Sequence, residues 1–172
     1  MRTRPATRQD AAAIADIYNQ GIADRVATFE TRPRTSEEVA AWFDAGFPIV
    51  AVETDHRVVA FAAASSYRAR PCYAGIFEFS VYVDRAARGR GAGRAAMTAL
   101  IAAAETAGAW KLVSRVFPEN TASLALLRGL GFREVGVYEK HGRLDDLWRD
   151  VVIVERLIPA NLVPVAPPSA PA

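Results

Sequence analysis

FEFSVYVDRAARGRGAGRAAM, residues 77–97, changes character twice, and those changes organise the reading of the rest of the chain. Phe77, Phe79, Val81 and Val83 alternate with Glu78, Ser80, Tyr82 and Asp84, the period-two pattern of a half-buried strand. The alternation gives way to Arg88-Gly89-Arg90-Gly91-Ala92-Gly93-Arg94, and an alanine-rich run with helical spacing follows at once. Strand, glycine loop and helix together make a phosphate-binding arrangement. Glycines let a ligand approach the backbone, the N–H groups of the first helical turn stay unpaired, and the helix dipole favours an anion there. The loop is not a Walker sequence, since no Lys-Ser or Lys-Thr follows its last glycine, and it is not GxGxxG.

The pattern Arg88-x-x-Gly91-x-Gly93, behind a strand that carries Glu78, resembles the acyl-CoA pyrophosphate loop of the GNAT acetyltransferases. Downstream, Asn120-x-x-Ser123, Leu126-Leu127 and Leu130-Gly131-Phe132 resemble the later CoA-binding helix of that superfamily and the turn into the strand after it. The resemblance implies an α/β (α+β) chain of the GNAT fold, with a mixed, mostly antiparallel sheet of about seven strands flanked by about four helices.

Composition agrees with one such domain. The chain has 172 residues, 51% of them hydrophobic, enough for one core and too few for two ordinary domains. We expect a single domain over residues 1–158 and a disordered Pro/Ala-rich tail over 159–172, which holds five of the ten prolines. The apolar runs fall short of the roughly 18 residues that a membrane span needs, and the first ten residues, MRTRPATRQD, lack the apolar centre of a signal peptide. A cytoplasmic protein with no membrane partner is expected. The net charge of +2 and the lack of a basic stripe interleaved with aromatics argue against nucleic acid. The single cysteine, Cys72, excludes an internal disulfide framework and any cysteine-based metal cluster, and reads as a small apolar filler. No metal site is expected.

Elsewhere the periodicity predicts a first edge strand at 2–5, a helix capped by Thr7 and ending within 19–23, and a loop from Val26 to Pro33 that returns over the sheet as a substrate wall. A short helix capped by Thr35 or Ser36 follows, with Glu37 and Glu38 in its first turn, where the dipole favours them. Strands at 48–53 and 57–67 form a hairpin about Thr54-Asp55-His56, which makes His56 a turn residue. Beyond the helix of about 92–107 come a strand at 110–116, a helix at 120–129, and two last strands of about 132–139 and 147–157. Lys140-His141-Gly142-Arg143 reads as the polar loop between those two.

An acetyltransferase acting on an alkylammonium needs a base, because the protonated nitrogen has no lone pair, and it needs donors for the oxyanion. Glu78 is the leading base candidate, since the flanking Phe77 and Phe79 disfavour its charged form. A solvent-facing strand glutamate is the structural alternative. His141 is the second candidate, and alone it would be an ordinary surface histidine. Arg68 and Arg70 stand two apart on an extended segment, so both would leave one face and suit an acidic substrate; a solvated strand end is the alternative. Tyr73 and Phe29 read as pocket wall or core.

A narrower resemblance runs along the chain to about residue 157. Tyr67-Arg68-Ala69-Arg70, Tyr73, Glu78-Phe79-Ser80-Val81-Tyr82-Val83, the glycine loop, Lys140-His141-Gly142 and Trp148-Arg149-Asp150-Val151 are similar to the phosphinothricin N-acetyltransferase family. That family includes methionine sulfoximine, methionine sulfone and arsinothricin acetyltransferases. The resemblance implies Glu78 as general base and His141 in the active site. It implies Phe29, Glu30, Arg68, Arg70 and Tyr73 as contacts of a small acidic amino acid. For acetyl-CoA it implies Val81, Tyr82 and Val83 along the pantetheine arm, Arg88, Gly89, Arg90, Gly91, Ala92, Gly93 and Arg94 at the pyrophosphate, and Asn120 and Ser123 further out. A homodimer is implied as well. Leu127 stands where many GNAT enzymes carry a tyrosine acid, so departure of the thiolate is unassisted or assisted by another residue. Acetylation of another amine, and a non-catalytic acyl-CoA-binding module, are the competing readings.

Overall fold

The computed structural model describes residues 1–162. In chain order the elements are β1 (Arg2–Pro5), α1 (Ala11–Asp24), α2 (Ser36–Ala40), β2 (Ile49–Thr54), β3 (Arg57–Ser66), β4 (Ile76–Val83), α3 (Ala92–Thr106), β5 (Lys111–Val116), α4 (Thr121–Arg128), β6 (Arg133–Leu144) and β7 (Leu147–Leu157). The strands form one seven-stranded sheet in the order β1-β2-β3-β4-β5-β7-β6. Every neighbouring pair is antiparallel except β4 and β5, which are parallel. This is the mixed, mostly antiparallel sheet with four helices that the resemblance implies.

Helices cover both faces of the sheet at β3 and β4. Ala60, Ala62 and Ala64 of β3, with Phe77 and Phe79 of β4, pack against Ala96, Met97 and Leu100 of α3. The small residues on both surfaces let helix and sheet approach closely. On the opposite face Phe61, Ala63 and Tyr82 meet Ile14, Ile17 and Val39 of the first two helices. The two sets alternate along each strand, as pleat geometry requires. A smaller cluster of Phe117, Leu144 and Val151 lies against Phe29.

Thr7 does cap the first helical segment, through a capping box with Asp10 that opens a 3-10 turn before α1. The helix runs to Asp24, past the end expected within 19–23. Gly21 does not stop it, because that position is where Tyr82 lies against the helix; a Cβ there would meet the ring at 2.5 Å. Asp55 and His56 both have positive φ, 50° and 60°, in the hairpin turn between β2 and β3. Cys72 is exposed in a 3-10 turn and fills no apolar space.

The polar segment Lys140 to Arg143 is not the connection between the last two strands. It lies inside β6, and the connection is Asp145-Asp146, with φ of 48° and 62°. Leu144 is buried and holds the strand in place past the polar residues. Register in the β6–β7 pair jumps between Tyr138–Val151 and Gly142–Arg149, so residues 139–141 oppose the single residue Asp150. The result is a wide bulge, held where Asp150 Oδ1 accepts from Lys140 N at 2.7 Å. Beyond Ile158 a 3-10 turn at Pro159–Asn161 follows, and Asn161 Nδ2 donates to Glu105 O and Ala109 O, each at 2.8 Å. The remainder of the proline-rich tail, 163–172, lies outside the described residues. No helix among the described residues is long and apolar enough to cross a membrane.

Candidate active site

The site begins where two parallel strands part. The β4–β5 ladder has only the pairs Ile76–Lys111, Phe77–Leu112 and Glu78–Val113, after which the strands diverge. Asp84 N donates to Val59 O at 2.9 Å, so the even-numbered residues of β4 bond to β3. Phe79, Val81 and Val83 therefore turn their backbone groups toward the opening. Ser114 Oγ bridges the apex of the wedge by donating to Phe79 O at 2.8 Å. A narrow cleft continues from there between Val81 and Tyr82 on one side and Val116, Asn120 and Ser123 on the other.

Asn120 also caps α4, its side-chain oxygen accepting from Ser123 N at 3.2 Å, while its amide donates to Val26 O at 3.2 Å. Leu127, at the position of the missing tyrosine, is buried and lines the same cleft. Tyr82 differs from Val81 and Val83. Its side chain lies in the core on the α1 side, 4.8 Å from Tyr18 and stacked on Phe61 at 5.5 Å. Burial pushes its phenol well above the ordinary tyrosine range, so it is a neutral hydroxyl beside Thr28.

The glycine loop meets the N-terminus of α3 as its sequence predicts. Gly89 and Gly91 have φ of 74° and 87°, and neither faces any atom within 4 Å of a built Cβ. The first intrahelical bond is from Ala95 N to Gly91 O at 3.0 Å, so the N–H groups of Ala92, Gly93 and Arg94 have no helical acceptor. Gly93 sits close to its neighbours, since a Cβ there would lie 3.2 Å from Leu126 and 3.4 Å from Val83. Arg88 reaches Asp24 at 2.7 Å and Val83 O at 3.3 Å, and Arg94 reaches Gly129 O at 3.2 Å. Arg90 makes no hydrogen bond or ion pair among the described residues. The guanidinium of Arg85 at 2.5 Å, followed by that of Arg88, holds the Asp24 carboxyl below the usual carboxylate range. An anion-binding turn of this form fits a pyrophosphate, and the unpaired edge of β4 fits an extended amide-bearing arm.

At the apex the wedge opens into a cavity of about 440 Å³. Glu78, Ser80 and Tyr82 of β4 form one wall, and Tyr18 of α1 with the Thr28–Glu30 loop forms another. Ser114, Arg115, Phe117, His141, Gly142 and Val151 close it. Four of the predicted site residues, Phe29, Glu30, Glu78 and His141, thus meet here together with Tyr82. Phe29 stands edge-on to Phe117 at 4.9 Å and lies over Gly142, where a Cβ would meet its ring at 2.7 Å. Glu30 is paired with Arg34 at 2.8 Å. His141 is brought in by the bulge and packs on Tyr138 at 5.0 Å.

The environment of Glu78 differs from the expectation. Phe77 and Phe79 lie on the opposite face of the sheet, in the α3 core, so they do not surround its carboxylate. The group that Glu78 meets is the guanidinium of Arg115 on the neighbouring strand, in a direct ion pair. Arg115, Tyr18, Thr28, Ser114 and Phe117 are lining residues that sequence reasoning missed.

Arg68, Arg70 and Tyr73 do not line this cavity. β3 ends at Ser66, so the two arginines are not on a strand, and strand alternation does not set their directions. Arg68 lies 5.1 Å over the Tyr67 ring and Arg70 5.9 Å over Tyr73, with the two rings edge-to-face at 5.9 Å. The neighbouring Tyr67 holds the Arg68 guanidinium above its ordinary pKa. Among the described residues no three His, Cys, Asp or Glu side chains come together as a metal site.

Residues 14–132 match the Acetyltransferase (GNAT) family. The chain is 32% identical over 163 residues to phosphinothricin N-acetyltransferase of Streptomyces coelicolor, covering 91% of this chain and 95% of that one. It is 28% identical over 170 residues to the L-methionine sulfoximine/L-methionine sulfone acetyltransferase of Salmonella typhimurium, covering 96% and 99%. Among solved structures it is similar to a GNAT superfamily phosphinothricin acetyltransferase from Sinorhizobium meliloti in complex with acetyl-CoA. That similarity has a TM-score of 0.85 at 29% identity and covers 91% of this chain and 88% of that one.

Proposed function

The chain belongs to the GNAT family of acetyl-CoA-dependent N-acetyltransferases, and on that premise we propose that it acetylates the α-amino group of a small acidic amino-acid analogue of the phosphinothricin, arsinothricin or methionine sulfoximine/sulfone type, detoxifying it and so conferring resistance. The observation that carries this reading is the placement of Glu78 in the cavity at the apex of the β4–β5 wedge, among Arg115, His141 and Phe29. The cleft that runs on to Val81, Asn120 and Ser123 shares Ser80, Ser114 and Arg115 with that cavity.

In this reading Glu78 takes a proton from the ammonium, directly or through water, and leaves a nitrogen with a free lone pair. Backbone N–H groups of Val81 and Val83 hold the arm and donate to the thioester carbonyl oxygen, where negative charge develops. Acetyl-CoA supplies the activated acetyl group: the N–C bond forms, the nitrogen loses its second proton to solvent, the C–S bond breaks, and sulfur departs as a thiolate that water can reprotonate. A simple thiol titrates near ~8.5, so this departure proceeds without the tyrosine that Leu127 replaces. Residues 88–94 bind the pyrophosphate, with Arg90 the guanidinium that is not already engaged. Asn120 and Ser123 flank the outer part of the cleft. In this reading Arg68, Arg70 and Tyr73, outside the lining, meet the distal acid group, while Phe29 and Glu30 form part of the cavity wall and His141 serves the reacting centre.

Thiol release from acetyl-CoA tests this with phosphinothricin, arsinothricin, methionine sulfone, methionine sulfoximine, glutamate, spermidine and a peptide N-terminus as acceptors. Turnover confined to the tetrahedral amino-acid analogues is expected. Turnover of spermidine or the peptide alone would overturn the substrate class, and acetyl-CoA binding without any turnover would favour the non-catalytic module.

The proposal includes a homodimer. β6 is an edge strand that exposes Val135, Val137 and Tyr138, and Leu147 and Trp148 are exposed at the adjoining end of β7. Such a patch favours association with a second copy. Sedimentation equilibrium should give twice the chain mass, and a monomer at all concentrations would refute the dimer.

A further inference from the structure

Glu78 and Arg115 sit on adjacent parallel strands, two residues out of register, because Glu78 pairs with Val113. Both side chains project to the cavity face and form an ion pair there, neither of them sealed from solvent, at 29% and 38% exposure. Neither has a second side-chain partner among the described residues, whereas the other carboxylate of the cavity, Glu30, is held by Arg34 at 2.8 Å. The cavity therefore contains one anion and one cation whose only partner is the other.

A pair this open to solvent contributes little to stability, so exchanging it for equivalent partners costs little. An α-amino acid offers those partners: an ammonium and a carboxylate one carbon apart, each opposite in sign to one member of the pair. We propose that the Glu78–Arg115 pair is the α-amino-acid head-group site. The substrate's carboxylate takes the planar fork of Arg115 bidentately, and its ammonium takes the carboxylate of Glu78. The entering zwitterion thereby frees Glu78 from its guanidinium as the proton to be removed arrives beside it. Arg115 then reads the head of the substrate, while Arg68 and Arg70, outside the lining, are left for its distal acid.

This inference rests on the reading of the acceptor as an amino acid. The test compares one acceptor that is turned over with its α-carboxamide, which keeps the amine and loses the carboxylate, in the wild type, Arg115→Ala and Arg115→Lys. The wild type should prefer the free acid by roughly 100-fold in kcat/KM, as expected for the loss of charged hydrogen bonds. In Arg115→Ala the free acid should fall by about that factor and the carboxamide by less than about 3-fold, so the preference collapses; Arg115→Lys should restore part of it. Unchanged melting temperature and acetyl-CoA affinity in both variants would establish that the fold is intact. A wild type that accepts the carboxamide equally well would overturn the proposal. Arg115→Ala losses that are equal for both acceptors would also overturn it, and would leave Arg115 as a positioning partner of Glu78 alone. If no amino acid of any kind is acetylated while another amine is, the underlying substrate reading fails along with it.

Discussion

Glu78→Gln is expected to lower kcat by roughly 10²–10⁴-fold, the range ascribed to one general base, while the affinity for acetyl-CoA stays unchanged. Glutamine matches the size of glutamate and can still accept from Arg115, so the substitution removes proton affinity and little else. Glu78 lies on the α1 side of β4, whereas the α3 core is built on Phe77 and Phe79 from the other face. The backbone edge proposed for the pantetheine arm belongs to odd-numbered residues. Turnover and cofactor binding are therefore separable at this position, and calorimetric titration with acetyl-CoA beside a steady-state thiol assay measures both. Wild-type kcat in the variant would mean that another group of the cavity, with His141 the alternative candidate, removes the proton. Equal loss of turnover and cofactor affinity would mean that the glutamate serves the shape of the wedge and not the chemistry.

Asp10→Ala should cost about 3 kcal/mol of stability, the lower end of the range for breaking a buried ion pair, because Arg4 retains a second partner. The carboxylate is buried and takes two hydrogen bonds from Arg4, at 2.7 and 2.8 Å, and one from Thr7 N at 2.7 Å. Arg4 also donates to Glu53 at 2.7 Å, so the group ties β1 and β2 to the start of α1. At about 2–4 °C per kcal/mol for a domain of this size, the melting temperature should fall by roughly 6–12 °C. The hydrogen bonds of Arg4 hold the Asp10 carboxyl below its ordinary value. In the unfolded chain the group titrates near ~3.9, so the unfolded state binds more protons in the interval between the two values. The contribution is complete above about pH 4 to 5 and is lost as pH falls through the lowered folded value. The gap between wild type and Asp10→Ala in urea midpoint should be constant near neutrality and shrink in acid. A gap that keeps its full size in acid would mean that packing, not the charge, is what the variant loses.

The strands, helices and glycine loop were legible because each is a local pattern: alternation, a cap, a glycine with positive φ. Gly91 at the start of α3 and Thr35 at the start of α2 are where such patterns place them. What failed was long-range register. Arg115 reads as an ordinary outward residue of a strand, and only the three-pair parallel ladder, closed through α3, brings it beside Glu78 from 37 residues away. The same holds for the flanks of Glu78, since alternation itself sends Phe77 and Phe79 to the other face. Lys140-His141-Gly142-Arg143 has the composition of a turn, and the actual turn, Asp145-Asp146, is less conspicuous because aspartate adopts positive φ without a glycine to mark it. The extended segment expected at Arg68 and Arg70 lies beyond β3, which ends at Ser66, and the chain bends there, so strand alternation does not set their directions.

The short β4–β5 ladder has a mechanical side. β1 to β4 form one plate and β5, β7 and β6 another, and three residue pairs join them in the plane of the sheet. Every ladder within a plate has more residue pairs than the seam, so stiffness is higher within the plates than along it. Helix α3 leans on the first plate and α4 borders the second, with Leu126 of α4 lying against Gly93 of α3. A molecule lying along the wedge spans both plates and acts as mortar between them, so resistance to shear across the seam becomes a property of the loaded protein more than of the bare chain.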